Sequence, residues 1–403
     1  MNPSSKFPLP QTINQTEMRR INRSAVLEYL RLSTATSRTE MGHQLELSLP
    51  SIKRIVDQLL DEELVVLTGQ KEKGRGRSRE MLSLNLVSKA VIGIDVGGSH
   101  IRGALVNIGG EILIEDHQPQ QWTSPEENFQ IIQTFIQDLL EKSLANPVHL
   151  LGIGIGFPGI VAAQTGTVIL APSLGWENYP FLEKFAPQID IPVFVENDVA
   201  LAALGESWFG AGIGIKNLVM IAIGTGIGAG VLIDGKLYSG HSHSAGEIGY
   251  FLPGLEYLDN KYPGFGALES LVSGKGITDR ANTILASSQT NSALSSQADL
   301  VSVLKAAQNG EAWAAQLVEE TIDYYSLMIA NLSLCYDPEL IIIGGGVADS
   351  FDMLFEPISS RLEGVIPNIP PIQKTTLHSN APILGAVAQV FQKVTGYLIV
   401  QVA

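Results

Sequence analysis

Two segments of the 403-residue chain share one plan, which is an apolar strand, a glycine-rich turn and a second apolar strand. The first segment covers residues 90–106, and the second covers residues 218–232. Uninterrupted apolar runs of this kind are typical of strands that are buried on both faces, as in α/β proteins. A plan that occurs twice indicates an internal duplication, so we expect two related α/β halves.

Both turns have a composition that suits phosphate binding. Their backbone N–H groups can approach phosphate oxygens, while Ser99 and Thr225 add hydroxyl donors and Asp95 is placed to hold Mg²⁺ through water. The alternative is a tight turn that needs glycine only for its positive φ. A third glycine run after a buried strand, at residues 340–347, favours a nucleotide cleft. The predicted nucleotide-binding residues are Asp95, Gly97, Gly98, Ser99, Gly224, Thr225, Gly226, Gly228, Gly344, Gly345 and Gly346.

The N-terminal part of the chain differs from the rest in charge. Residues 1–90 hold 14 Lys and Arg against 10 Asp and Glu, whereas the rest of the chain holds 12 against 31. Apolar residues at helical spacing predict a helix over 18–32. A capping box of Ser37 and Glu40 predicts the start of a second helix. A third helix is predicted to start at Pro50, whose φ suits a first helical turn.

Candidate DNA-binding side chains lie on the third helix and on the hairpin that follows it. For the helices alone, a packing module with an ordinary solvated face is an equal alternative. Five of the nine residues over 71–79 are basic, and such a glycine-rich hairpin tip gains little from packing and much from a polyanion. We therefore predict a winged helix-turn-helix over residues 1–88, with its third helix in a major groove. The predicted DNA-binding residues are Ser51, Lys53, Arg54, Lys73, Arg75 and Arg77.

Cysteine content and hydropathy predict the compartment. The single cysteine, Cys335, excludes an intrachain disulfide and a zinc site built on several thiolates. The N-terminus has no secretory signal pattern, and no apolar run reaches the ~18 residues of a membrane span. We expect a cytoplasmic protein that makes no contact with a membrane.

Residues 90–392 resemble the ROK family of repressors, open reading frames and sugar kinases. The matching segments, in the family's order, are IGIDVGGSHIRGALV, GIGIGFPGIV, LGWENYPF, VFVENDVALAALGE, GTGIGAGVLIDGKLYSG, AGEIG, LES, IIIGGGV and PILGAVAQV. The N-terminal part resembles the DNA-binding half of the repressor branch, which includes the xylose and N-acetylglucosamine repressors. The resemblance implies an actin-like, ribonuclease H-like duplicated sugar-kinase fold over residues 89–403. One lobe would cover 89–210 with a C-terminal return, and the other would cover 211–380.

The resemblance also implies a sugar site. Asp198 corresponds to the family's catalytic base, which takes the proton from a sugar hydroxyl as that hydroxyl attacks the γ-phosphate of ATP. A plain helix cap at Asn197 or Asp198 is the alternative, and both roles can hold together because a capped turn fixes the direction of the carboxylate. The sugar-binding residues that the resemblance implies are Gly159, Asn197, Asp198, Glu247 and Glu269.

The chain departs from the family pattern at the zinc site. Family members follow Glu-Ile-Gly with a histidine and then a C-x-C-G-x-x-G-C cluster, whereas this chain has Tyr250 and no cysteine over residues 250–270. We therefore expect no zinc. The loop is expected to be held by its own packing, through Tyr257, Tyr262 and Phe265.

Two functions from different classes are consistent with these motifs. The first is a sugar-responsive transcriptional regulator, a repressor of carbohydrate metabolism genes, whose partners are operator DNA and a small sugar. The second is an ATP-dependent sugar kinase with an added DNA-binding head, and in that case Mg²⁺ and ATP would be its cofactors. The N-terminal part favours the regulator, while the retained phosphate motifs and Asp198 leave kinase activity open. The symmetry of most operators further predicts a homodimer or homotetramer.

Overall fold

The computed structural model describes residues 14–72, 79–262, 264–287 and 298–397. The chain divides into a first unit, Met1–Lys89 together with Phe391–Ala403, and a second unit, Ala90–Val390. The sequence-based division has its boundary at residues 88 and 89 and assigns the residues from Phe391 onward to the second domain. Within the four ranges, no helix combines the length and the apolar character that a membrane crossing requires.

The first unit contains three helices and a small antiparallel sheet in the order β1-β3-β2. Ser37 and Ser48 begin the second and third helices, because the hydroxyl of each accepts a hydrogen bond from a backbone N–H in the first turn. Ile52, Val56 and Leu59 are buried on one face of the third helix, as the helical spacing predicted. The elements are α1 (Gln15–Leu32), β1 (Thr36–Ser37), α2 (Arg38–Gln44), α3 (Leu49–Asp61), β2 (Val65–Glu72) and β3 (Arg79–Leu84).

The end of the chain belongs to the first unit because it packs on α1. The Tyr397 side chain is 5% exposed, and its hydroxyl donates to the carboxylate of Glu28. Arg31 donates two hydrogen bonds of 2.8 Å to the same carboxylate. Arg20 donates from Nε to the carbonyl of Gly396 at 3.1 Å. The Tyr397–Glu28 and Arg20–Gly396 partners are more than 360 residues apart in sequence, so no local pattern could have predicted these two contacts.

The second unit is built from two five-stranded sheets and their helices. Its strands are β4 (Lys89–Val96), β5 (His100–Asn107), β6 (Ile112–Pro119), β7 (His149–Phe157), β8 (Ile160–Ala162), β9 (Thr167–Ala171), β10 (Trp176–Tyr179), β11 (Val193–Asn197), β12 (Leu218–Ile223), β13 (Ile227–Ile233), β14 (Lys236–Leu237), β15 (Leu340–Gly344) and β16 (Ile372–Lys374). Its helices are α4 (Pro125–Ser143), α5 (Phe181–Phe185), α6 (Asp198–Phe209), α7 (Ala267–Val272), α8 (Gly274–Ala286), α9 (Leu300–Gln308), α10 (Ala312–Tyr336), α11 (Asp352–Leu362) and α12 (Ala381–Thr395), the last of which continues into the first unit. Short 3₁₀ turns lie at Pro172–Leu174, Ala186–Gln188, Ile248–Tyr250, Leu255–Tyr257, Ala348–Ser350 and His378–Asn380.

The two large sheets have the same strand order, which confirms the predicted duplication. One reads β11-β7-β4-β5-β6 and the other reads β16-β15-β12-β13-β14, so each element of the first sheet has a counterpart in the second. The glycine turns join the antiparallel pairs β4–β5 and β12–β13, as predicted. Each sheet has its own buried apolar cluster, and β8, β9 and β10 form a separate small sheet.

Helix α6 contacts both large sheets, and its C-terminal end is fixed by one carboxylate. Glu206 is fully buried and accepts hydrogen bonds from the backbone N–H groups of Ala211 (2.8 Å), Thr376 (3.0 Å) and Leu377 (3.0 Å). The hydroxyls of Thr375 and Thr376 donate to it as well. Five donors offset the cost of burying this charge and hold α6, whose first residue is Asp198, at a fixed position.

Candidate functional site

Asn197 and Asp198 lie where β11 ends and α6 begins. The Oδ1 atom of Asn197 accepts a hydrogen bond from the N–H of Ala200 at 2.8 Å, so Asn197 is the helix cap. Its amide nitrogen donates to the carbonyl of Gly159 at 2.8 Å and to Oδ1 of Asp198 at 3.1 Å. Asp198 Oδ1 also accepts from the N–H of Val199 at 2.9 Å. Two donors to Oδ1, the Asn197 amide and the Val199 N–H, therefore fix the direction of the Asp198 carboxylate.

Gly159 adopts a conformation that only glycine adopts without strain. Its φ is +83°, and a Cβ atom would lie 2.2 Å from the carbonyl oxygen of Leu170. This glycine brings a backbone carbonyl within hydrogen-bonding distance of Asn197. The turn between β7 and β8 thus completes the support of the Asn197–Asp198 pair.

Glu269 is held against the second glycine turn. Its Oε1 accepts a hydrogen bond from the N–H of Ile227 at 2.8 Å, and its Oε2 accepts from the N–H of Gly266 at 3.2 Å. A Cβ atom on Gly226 would lie 2.1 Å from Glu269 Oε1, so the absence of a side chain there lets the carboxylate approach. By contrast, no hydrogen bond to the Glu247 carboxylate occurs among the described residues.

Four predicted carboxylates act on one another electrostatically, which places them in one site. Burial raises the pKa of Asp198 well above its usual range, and the negative charges of Asp95 and Glu247 raise it further. Burial and the charge of Glu269 raise the pKa of Glu247 to about 7. Burial also raises the pKa of Glu269. The structure thus brings together Asp95, Asp198, Glu247 and Glu269, which come from four separate segments of the chain.

The first glycine turn is held by side chains that the sequence did not single out. Trp122 donates from Nε1 to the carbonyl of Gly97 at 3.0 Å, and Gly97 donates to the carbonyl of His100 at 2.9 Å. The His100 ring packs on Gly97, and its Nε2 lies 3.7 Å from Asp95 Oδ2. Gly98 and Ser99 are exposed at the tip. His100 follows the predicted residues directly, but nothing in the sequence indicates the role of Trp122.

The second turn lies beside the third glycine segment. Ala222 of β12 pairs with Gly344 of β15, and the carbonyl of Ile223 accepts a hydrogen bond from Val347 N–H at 3.1 Å. Gly345 has a φ of +78° and packs on the same carbonyl. A Cβ atom on Gly224 or Gly346 would meet nothing within 4 Å. Packing therefore does not require glycine at those two positions.

The segment where the family places its zinc cluster is held by a tyrosine pair. The Tyr257 hydroxyl lies 3.2 Å from the Tyr324 hydroxyl of α10, and this hydrogen bond raises the pKa of Tyr257 to about 12. Tyr257 therefore has the predicted packing role, whereas Phe265 is 40% exposed and does not share it. In the described part of the chain, no three His, Cys, Asp or Glu side chains are grouped to hold a metal ion.

The predicted DNA-binding residues of the first unit divide into three cases. Lys53 and Arg54 are exposed on α3, opposite its buried face. Ser51 is half-buried, and its hydroxyl lies 2.9 Å from that of Ser48, so it takes part in the helix cap. Lys73, Arg75 and Arg77 lie outside the described residues.

Known proteins that match this chain include a repressor matched over nearly all of it and a glucokinase matched over about three quarters of it. The chain is 28% identical to the xylose repressor of Caldicellulosiruptor bescii over 95% of this chain and 98% of that protein. It is 34% identical to the glucokinase of Halalkalibacterium halodurans over 73% of this chain and 92% of that protein.

Solved structures also include a regulator that matches nearly all of the chain and a glucokinase that matches about three quarters of it. A ROK family transcriptional regulator, a homologue of the E. coli MLC protein, superimposes with a TM-score of 0.81 over 95% of this chain and 99% of that chain, at 22% identity. A ROK glucokinase from Streptomyces griseus in complex with glucose and AMPPNP gives 0.63 over 75% of this chain and 99% of that chain, at 25% identity. Residues 91–393 match the ROK family as a whole. The chain therefore belongs to the ROK family and has the family's actin-like sugar-kinase fold.

Proposed function

We propose that this protein is a sugar-responsive transcriptional regulator that represses genes of carbohydrate metabolism. The observation that carries the proposal is the first unit. The xylose repressor is matched over 95% of this chain, whereas the glucokinase is matched over 73%. The family match covers residues 91–393 and leaves a basic, three-helix unit before it that a kinase does not need.

The first unit has the element order of a winged helix-turn-helix. Helices α2 and α3 are joined by a short turn, and the antiparallel pair β2–β3 follows them as a wing. On α3, Lys53 and Arg54 are exposed while Ile52 and Ile55 are buried, so the helix can pack on one face and contact DNA with the other. We assign operator DNA as the partner, with Lys73, Arg75 and Arg77 in the wing. Operator symmetry makes a homodimer or homotetramer the expected assembly.

The carboxylate site in the second unit is assigned to a small sugar. Carboxylate and amide oxygens are suited to the hydroxyl groups of a polyol, and Glu247 has no other partner among the described residues. Asn197 and Glu269 already accept backbone N–H groups, so each offers a sugar its remaining lone pairs. Gly159 lets the sugar ring approach the backbone. Closure of a two-lobed site on a ligand is a common way to change the affinity of an attached domain.

A second candidate function, an ATP-dependent sugar kinase, is favoured by the intact base and phosphate turns. Asp198 would take the proton from a sugar hydroxyl through the oxygen that is not bonded to Val199. The open positions at Gly224 and Gly346 suit the phosphates of ATP, and Asp95 would hold Mg²⁺ through water. When bound, ATP would supply the γ-phosphate that the sugar hydroxyl attacks.

A thermal-shift screen of monosaccharides, with and without Mg-ATP, tests the ligand assignment. A sugar that binds the native state raises the melting temperature, by an amount that grows with its concentration. Glu247→Ala should abolish that shift, whereas Glu256→Ala, at an exposed position of the following segment, should retain it. Selection of duplexes from a random DNA library tests the assignment of operator DNA as the partner. If the full-length protein enriches no sequence, the regulator is the wrong function.

A further inference from the structure

The first unit contains a cleft between the start of α3 and the start of β3. Five residues line it, namely Arg38, Leu49, Pro50, Lys53 and Glu80. Two of these side chains are cations and one is a carboxylate. The cleft includes the exposed Lys53 and the start of β3, on the side of the unit assigned above to DNA.

Arg38, the first residue of α2, makes two ion pairs at this cleft, and they leave part of its hydrogen-bonding capacity unused. Its Nη2 lies 3.2 Å from Asp57 Oδ1 on α3, and its Nη1 lies 3.4 Å from Glu80 Oε2 on β3. Among the described residues, its buried Nε has no hydrogen-bond partner. Charge-assisted pairs usually lie at about 2.7–2.9 Å. The two carboxylates are 47% and 61% exposed, so water competes for each of them and the pairs are weak.

We propose that this cleft binds a backbone phosphate of DNA, with Arg38 as its main ligand and Lys53 beside it. This inference rests on the proposed regulator function. A guanidinium group suits phosphate because two of its N–H groups can donate in parallel. The partners present in the free protein do not satisfy it, so an incoming phosphate can displace Glu80 from Nη1. Asp57, which lies on α3 itself, keeps the guanidinium aligned with the recognition helix.

The environment of the cleft favours DNA over a small anion. Leu49 is 54% exposed at its rim next to Pro50, and such an apolar rim can lie against a deoxyribose ring. The first turn of α3 contains no acidic residue, so the N–H groups there add to the positive potential. Glu80 then lowers the affinity for DNA, because its carboxylate pairs with Arg38 until a phosphate takes its place.

Arg38→Ala, Arg38→Lys, Glu80→Gln and the Arg38→Ala/Glu80→Gln double variant test the proposal in the full-length protein. Fluorescence anisotropy would use a duplex enriched by the wild type and a scrambled duplex, over a range of salt concentrations. Arg38→Ala should lower affinity for both duplexes about tenfold, and the slope of log Kobs against log salt should be flatter by about 0.9, because one phosphate contact is lost. Arg38→Lys should keep the wild-type slope at an intermediate affinity.

Glu80→Gln should raise affinity for both duplexes severalfold, and that gain should vanish in the Arg38→Ala background, because Glu80 acts through Arg38. A gain that persists in the double variant would contradict this part of the proposal. Arg361→Ala is the matched control, since Arg361 also pairs with two carboxylates but lies in the second unit. If Arg38→Ala keeps the wild-type slope, or Arg38→Lys loses it, the cleft does not bind phosphate. If the wild type itself binds no duplex, the regulator function fails instead.

Discussion

Glu247→Gln should stabilise the protein at alkaline pH while it weakens sugar binding. Burial and the charge of Glu269 raise the pKa of Glu247 from its usual 4.5 to about 7 in the folded protein. The folded state therefore favours the protonated form, and this contribution to stability is complete below pH 4.5 and lost as the pH rises through 7. The change of about 2.5 in pKa corresponds to at most about 3 kcal/mol. Glutamine stays neutral and avoids that loss.

The assay is calorimetric unfolding of wild type and variant between about pH 5 and pH 8. The two proteins should unfold at similar temperatures near pH 5. Near pH 8 the variant should be more stable by up to about 3 kcal/mol, which is about 6 °C for a domain of this size. Glu256→Gln, which removes an exposed carboxylate, is the control and should show no pH-dependent difference from wild type. A difference between wild type and Glu247→Gln that is constant over this pH range would refute the reasoning.

Three further predictions concern other parts of the chain. Asp198→Asn should remove any ATP-dependent phosphorylation but keep most of the sugar affinity, because the amide retains the shape and cannot take a proton; a coupled kinase assay and calorimetry measure the two effects. Replacing Arg75 and Arg77 with Ala should lower affinity for all duplexes and flatten the salt dependence by about 1.8, and unchanged binding at moderate salt would exclude them from the wing contact. Tyr397→Phe should destabilise the first unit by about 2 kcal/mol, because the Glu28 carboxylate loses a buried donor, and denaturant unfolding would show whether it does.

Elemental analysis tests the expected absence of zinc. The prediction rests on Tyr250 and on the lack of cysteine over residues 250–270. About one zinc per chain in the purified protein would contradict it and would direct attention to the nearby His241 and His243.

Local patterns predicted the secondary structure and the turns of this protein well. The apolar runs on each side of the glycine turns predicted the hairpins β4–β5 and β12–β13. A strand that is buried on both faces is apolar at nearly every position, so its sequence is easy to recognise. Pro50 and the Ser37 cap predicted the helix starts closely. The grouping of Asp198, Glu247 and Glu269 came only from the family resemblance, whereas Asp95 was predicted from the composition of its glycine turn.

Contacts between distant segments could not be predicted. Trp122 supports Gly97 across 25 residues, and Tyr397 supports α1 across 369 residues. Neither contact leaves a periodic signal, because each depends on one side chain and on the folded path of the chain. Nothing in the sequence indicated the Arg38 contacts, for a related reason. Arg38 lies on α2, whereas the predicted DNA-binding residues lie on α3 and in the wing.

Reciprocal titration tests most directly whether one chain couples sugar binding to DNA binding. Calorimetry would measure the affinity for the sugar identified by thermal shift with the free protein and with the protein bound to its enriched duplex. Anisotropy would measure duplex affinity with and without that sugar. The factor by which the duplex changes the sugar affinity should equal the factor by which the sugar changes the duplex affinity. Each factor should correspond to a coupling of about 1–3 kcal/mol. Phosphorylation of the sugar at ordinary kinase rates, together with duplex affinity that the sugar leaves unchanged, would contradict the account and would identify the protein as a kinase.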